Sequence, residues 1–164
     1  MINYALLMQM LAANPGKYTL RNYAYTLVGD GVGSATTTVT FNLPIDVSAP
    51  FVWCKTAYWA DLAGALQTDS SRVVPLVSLQ IRDSGSDQPF FDQAQPIAQI
   101  AGAQGLPQVL EAPYVFNAGS SINSVFTSFV VAANTYTRLR VALIGYRVFE
   151  FSGGQPFAAM PVPA

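Results

Sequence analysis

Charge is scarce in this chain. Of its 164 residues only 10% are charged, against about 25% in an ordinary soluble domain. Eight Lys plus Arg stand against nine Asp plus Glu, for a formal net charge of −1. That balance excludes a basic nucleic-acid groove and a polybasic membrane patch. Histidine is absent, and with it the commonest general base, proton shuttle and zinc ligand. A single cysteine, Cys54, excludes an intrachain disulfide framework. No apolar run reaches the ~20 residues of a membrane-spanning helix. Residues 1–13 are apolar but lack the Lys or Arg of a signal peptide's charged region.

What is present is apolar and aromatic. Apolar residues make up 51% and aromatics 12%, the composition of a folded chain with a real core rather than a disordered one. The stretches 28–44, 94–110 and 112–137 carry almost no charge. Depletion of charge together with enrichment of aromatics marks the cores of interfaces, so neighbouring subunits are expected to cover much of this surface, the plainer alternative being a neutral surface of Ser, Thr, Asn and Gln.

Along the chain, residues 1–16 read as an N-terminal helix or arm, stopped at Asn14-Pro15-Gly16. Residues 17–150 read as one domain of strands punctuated by turns. Strands are expected at 17–28, 36–43, 51–59, 73–82, 113–116, 121–131 and 136–149, with a short edge strand within 90–100 restrained by Pro89 and Pro96. Val39, Phe41 and Leu43 alternate, as do Val77, Leu79 and Ile81. In the last strand Leu139, Val141 and Leu143 alternate with Arg138 and Arg140, a clean inside-outside pattern. The 51–59 strand is apolar on both faces: Phe51, Trp53, Ala57 and Trp59 on one, Val52, Cys54 and Tyr58 on the other. It is therefore expected to be covered twice. A helical turn is expected at 61–66 and a flexible loop at 102–107. About eight strands without alternating helices predict an all-β, antiparallel β-sandwich of jelly-roll or Greek-key type. Residues 151–164, rich in proline and glycine, read as an extended C-terminal arm.

The candidate chemical sites are weak. Gly29-Asp30-Gly31-Val32-Gly33 has the glycine content of a phosphate loop, but neither Lys-Ser/Thr nor a helix follows it, so a hairpin turn is expected. Asp83, Asp87 and Asp92, with Ser84 and Ser86 between them, could begin a calcium loop. The twelve-residue pattern is not met, and a surface turn with solvated carboxylates is expected instead. Serines have no histidine partner and no Gly-x-Ser-x-Gly elbow. No enzyme is expected, and no catalytic residue, cofactor or metal ligand is assigned. Trp53, Tyr58 and Trp59 could form a stacking platform for sugar rings, with core or interface packing as the plainer reading.

Four segments carry a likeness. They are Pro44-Ile45-Asp46-Val47-Ser48-Ala49-Pro50-Phe51, Leu79-Gln80-Ile81-Arg82-Asp83-Ser84-Gly85, Pro113-Tyr114-Val115-Phe116-Asn117-Ala118-Gly119-Ser120, and Leu139 through Phe149 with its Val-x-Leu-x-Gly-x-x-x-Phe spacing. In this order they resemble accessory structural proteins of tailed bacteriophage virions. The resemblance spans about residues 44–149 and consists of turns and strands, so it transfers no functional residue. It implies a decoration, cement or head-to-tail collar subunit located in the virion and assembled in the host cytoplasm. The implied partners are major capsid or neck proteins and other copies of the chain, with no nucleic acid and no membrane. A glycan-binding sandwich module is the alternative.

Overall fold

A computed structural model describes residues 4–33, 36–62, 74–103, 106–129 and 135–150. Helix α1 (Tyr4–Ala13) precedes strands β1 (Tyr18–Val28), β2 (Thr38–Pro44), β3 (Phe51–Leu62) and β4 (Val77–Asp83). Short strands β5 (Gln88–Pro89) and β6 (Gln95–Pro96), a helical turn α2 (Ile97–Ile100) and a short strand β7 (Gly102–Ala103) follow. Strands β8 (Gln108–Phe116), β9 (Ser121–Ser128) and β10 (Tyr136–Glu150) are the last of the described elements. The C-terminal segment 151–164 and most of the expected turn at 61–66 lie outside the described residues. Asp61 and Leu62 themselves continue β3 rather than beginning a helix.

The strands form two sheets. One has the order β1-β10-β3, with β7 and β8 both against the far side of β3; the other has β2-β9-β4, with β5 and β6 both against β4. Every pairing is antiparallel except the two-residue β3–β7 contact. With β5 and β6 sharing one edge position, the long strands alternate between sheets in the order of a jelly roll. The expected all-β sandwich is the observed fold, and its strand order selects the jelly roll.

Alternation explains how the sheets meet. Leu139, Val141 and Leu143 of β10 and Leu27 of β1 are fully buried against Val77, Leu79, Ile81, Ile122 and Phe126 of the second sheet. Arg138 and Arg140, between them in sequence, are exposed on the outer face. Each buried Leu, Ile or Phe contributes about 1.5–3 kcal/mol of transfer free energy, before the cost of ordering it. Tyr25, Phe51, Trp53, Phe90, Tyr114 and Phe116 extend this core as an edge-to-face and stacked aromatic cluster, with centroids 4.2–6.3 Å apart.

Only the first half of β3, where Val52 and Cys54 face outward, is covered twice; beyond it Trp59 is exposed, and the faces are not those expected from simple alternation. Trp53 pairs with Gly145 and Lys55 with Ile144, so Cys54 is an extra residue bulged out of the ladder. The bulge reverses the phase of the strand. Phe51 and Trp53 join the main core and so do Thr56, Tyr58 and Ala60 beyond it, while Ala57 and Trp59 turn outward. Gly145 permits it. A Cβ there would lie 1.8 Å from the Val52 carbonyl oxygen, so only glycine lets the two strands approach this closely.

The second cover is α1. Leu7 and Leu11 pack on Val52, Val115, Val148, Tyr18 and Cys54 at the outer face of the first sheet. The helix stops where the sequence indicates. Asn14 donates from both its backbone N–H and its side-chain amide to the Met10 carbonyl, at 3.2 and 3.1 Å. Pro15 has no N–H to offer, and Gly16 adopts φ +85°, the left-handed conformation glycine tolerates.

Two further expectations change. Gly29–Gly33 does not close a hairpin, because β1 belongs to the first sheet and β2 to the second. It crosses between them, and Gly29 passes so close to the Phe126 ring that a Cβ would sit 2.7 Å from it. The 102–107 loop contributes β7, whose two residues pair with Ala57 and Tyr58. The edge strand expected within 90–100 is β6, only two residues long and ending at Pro96, with α2 following; β5, ending at Pro89, lies just before that range on the same sheet margin. Among the described residues no helix is long and apolar enough to cross a membrane.

Candidate functional site

The acidic turn is part of the fold's framework. Asp83 is fully buried, contrary to a solvated turn. Its carboxylate accepts the Gly85 N–H at 2.9 Å, the Ser86 hydroxyl at 3.3 Å and the Tyr114 hydroxyl at 2.9 Å. Burial pushes the Tyr114 phenol up from its ordinary range. Asp87 instead faces Arg82 across 3.6 Å at the surface, and Asp92 is exposed. Among the described residues no group of three or more His, Cys, Asp or Glu is placed to hold a metal ion.

A buried arginine fastens the β2–β3 connector. Arg147, on β10, donates to Asp46 at 3.0 Å and to Ser48 at 2.8 Å, and its guanidinium lies over the rings of Tyr23 and Phe149. Asp46 also accepts the Ser48 N–H at 2.8 Å, an Asx-type turn. The Ser48 bonds, followed by Arg147, hold the Asp46 carboxyl below its ordinary range. The arrangement fixes a loop; it offers no reacting group.

The aromatic trio is divided. Trp53 is buried, and its indole N–H donates to the Lys55 carbonyl at 3.0 Å and the Thr56 hydroxyl at 3.1 Å. Tyr58 packs against the same core. Trp59 alone reaches the outer face, 43% exposed, with its N–H donated to Asp61 at 2.7 Å. The bulge at Cys54 makes this division, so no platform of three rings exists.

Trp59 borders a depression of about 610 Å³ on the outer face of the first sheet. Thr26 of β1, Ala57, Tyr58 and Trp59 of β3, and Arg138, Arg140 and Ala142 of β10 line it. The register explains the grouping: Arg140 pairs with Trp59, Ala142 with Ala57, and Thr26 with Ala142, while Arg138 faces Asp61. Small Ala57 and Ala142 make the floor low between the longer side chains. Arg140 holds Asp30 through two bonds, 2.6 and 3.2 Å, and Asp30 also accepts the Leu139 N–H at 2.8 Å. Arg140, chief among these partners, keeps the Asp30 carboxyl below its ordinary range. Arg138 forms no ion pair among the described residues. Alternation alone places both arginines on the outer face, but only the bulge brings Trp59 there beside them.

Comparison with known proteins adds little. No family model and no curated protein matches the chain. A solved structure described as that of infectious bursal disease virus Gx strain is similar at 16% identity, with a TM-score of 0.33. The likeness covers 83% of this chain and 33% of that one, so the chain spans about a third of that protein's length. At that level it carries no argument about what this protein does.

Proposed function

We propose that the chain is a structural subunit of a virion: a decoration, cement or head-to-tail collar protein of a tailed bacteriophage. In this reading it binds capsid or neck proteins and other copies of itself without covalent chemistry. The observation that carries the reading is the jelly-roll strand order, an architecture shared by many viral capsid domains. Lectin and enzyme domains use it too, so the strand order alone does not decide. The surface supports the choice. Charge makes up only 10% of the chain, little to keep copies and partners apart, while Val47, Leu106, Val109, Leu20 and Tyr146 are 40–83% exposed. The ordered resemblance of residues 44–149 to phage accessory proteins points the same way. A catalytic role is not proposed, since the sequence contains no histidine to serve as a base.

The test has two arms. Light scattering on the full chain is expected to show a species larger than the monomer, and mass spectrometry of purified particles from the source is expected to find the protein. A strict monomer at high concentration that is absent from particles refutes the proposal.

A further inference from the structure

We propose that the depression beside Trp59 binds an acidic saccharide, with a hexuronic acid unit seated between the indole and Arg138. This goes beyond a structural role and does not depend on it. Three features of the site select that chemistry. The first is shape: about 610 Å³ lies within the range of small-ligand sites, about 300–1,000 Å³. The floor of Ala57 and Ala142, flanked by Trp59 and the Thr26 hydroxyl, suits a flat ring with apolar faces and hydroxyl edges.

The second feature is what Trp59 has left to offer. Its N–H is already donated to Asp61, so the indole is held in place and presents ring carbon rather than a donor. Aromatic surface of this kind accepts the C–H faces of a sugar ring.

The third is charge. Arg140 is engaged by Asp30 through both its Nε and Nη2. Arg138 is exposed and makes no direct ion pair among the described residues; its charge reaches Asp30, but its guanidinium donors are left for one ligand carboxylate. Asp30 and Asp61 remain as acceptors for sugar hydroxyls at the rim. A neutral sugar would leave Arg138 unused. A ligand with several negative charges would meet the repulsion of both carboxylates. An acidic side chain of a protein partner could also reach Arg138, but it has no ring to lay along Trp59.

Ligand-observed NMR on the full chain tests this, with a glucuronic acid oligosaccharide, a neutral glucose oligosaccharide of equal length, and a short Glu-containing peptide as probes. Saturable binding of the acidic sugar is expected, weakening as salt is raised, with the neutral sugar and the peptide each bound at least about tenfold more weakly. Arg138→Gln is expected to weaken the acidic sugar about tenfold or more while leaving the neutral sugar unchanged. Trp59→Ala is expected to weaken both sugars. Far-UV circular dichroism and thermal melting establish that each variant is folded; Trp59→Phe, which keeps a ring, replaces Trp59→Ala if the latter is not, and is expected to retain part of the binding. No saturable binding of the acidic sugar, equal binding of the peptide, or an acidic-sugar affinity untouched by Arg138→Gln overturns the proposal. None of these results bears on whether the chain is found in particles, so the two proposals fail separately.

Discussion

Leu143 gives the sharpest test of how the two sheets are held. It lies at the middle of β10, fully buried, opposite Tyr25 on β1 and Thr56 on β3. Truncation to alanine removes buried apolar surface and leaves a hole that three strands, each pinned by its own ladder, cannot close. The cost for such a site is about 2–5 kcal/mol. For a domain of this size each kcal/mol lowers the melting temperature by about 2–4 °C, so Leu143→Ala is expected to melt about 10 °C lower. Leu143→Asp is worse, because a charge with no partner in the core must either stay neutral or open the sandwich; it is expected not to fold. Arg140→Ala, three residues earlier and on the other face, loses only a surface pair with Asp30, at most about 1 kcal/mol. Differential scanning calorimetry on the three variants reads these outcomes directly. If Leu143→Ala and Arg140→Ala melt within about 2 °C of each other, the inside-outside assignment of β10 is wrong.

Gly145→Ala is expected to destabilise by about 3–4 kcal/mol, since its methyl group meets the Val52 carbonyl; a melting temperature at the wild-type value would show that the bulge can relax. Leu7→Asp is expected to undock α1 and leave the sandwich folded, read as faster reaction of Cys54 with a thiol reagent, because burial now holds that thiol up and Leu7 shares its cluster. An unchanged labelling rate would mean that α1 does not shield Cys54. Stability is expected to be flat from about pH 5 to 7, where no histidine titrates, and to fall in acid. The sign follows from Asp30 and Asp46: both carboxyls are lowered in the folded state, so their contribution is whole above the ordinary value of 3.8 and is lost as pH drops through the folded values. A steep dependence between pH 5 and 7 in urea unfolding would contradict this.

Much of the sandwich was readable from alternation because its determinants are local. The burial of Leu139, Val141 and Leu143, and of Val77, Leu79 and Ile81, follows from period two within single strands. The stop of α1 at Asn14-Pro15-Gly16 is equally local. The readings that changed all depend on partners distant in the chain. The face of Trp59 is reversed by a bulge that Gly145, on another strand, permits. The burial of Asp83 requires the hydroxyl of Tyr114, on the opposite sheet. Gly29 to Gly33 resembles a hairpin turn until the sheet assignment of β1 and β2 is known. The depression beside Trp59 draws on three strands, and nothing in the sequence between them signals that they meet.

The position of β10 bears on how the molecule is made. The last of the described strands, β10, lies between β1 and β3, pairing with β1 along all 11 residues of that strand and with most of β3. While the chain is still growing, β1 and β3 have no common neighbour, and their apolar residues and unpaired backbone groups stay open to wrong partners. The first sheet can close only once β10 has been made. Because closure pairs β1 with a strand far along the chain, folding is expected to be slow, in the millisecond-to-second range typical of all-β topologies. Until that closure the nascent chain presents two strand edges of one unfinished sheet, and other nascent copies are the nearest source of a spurious β10.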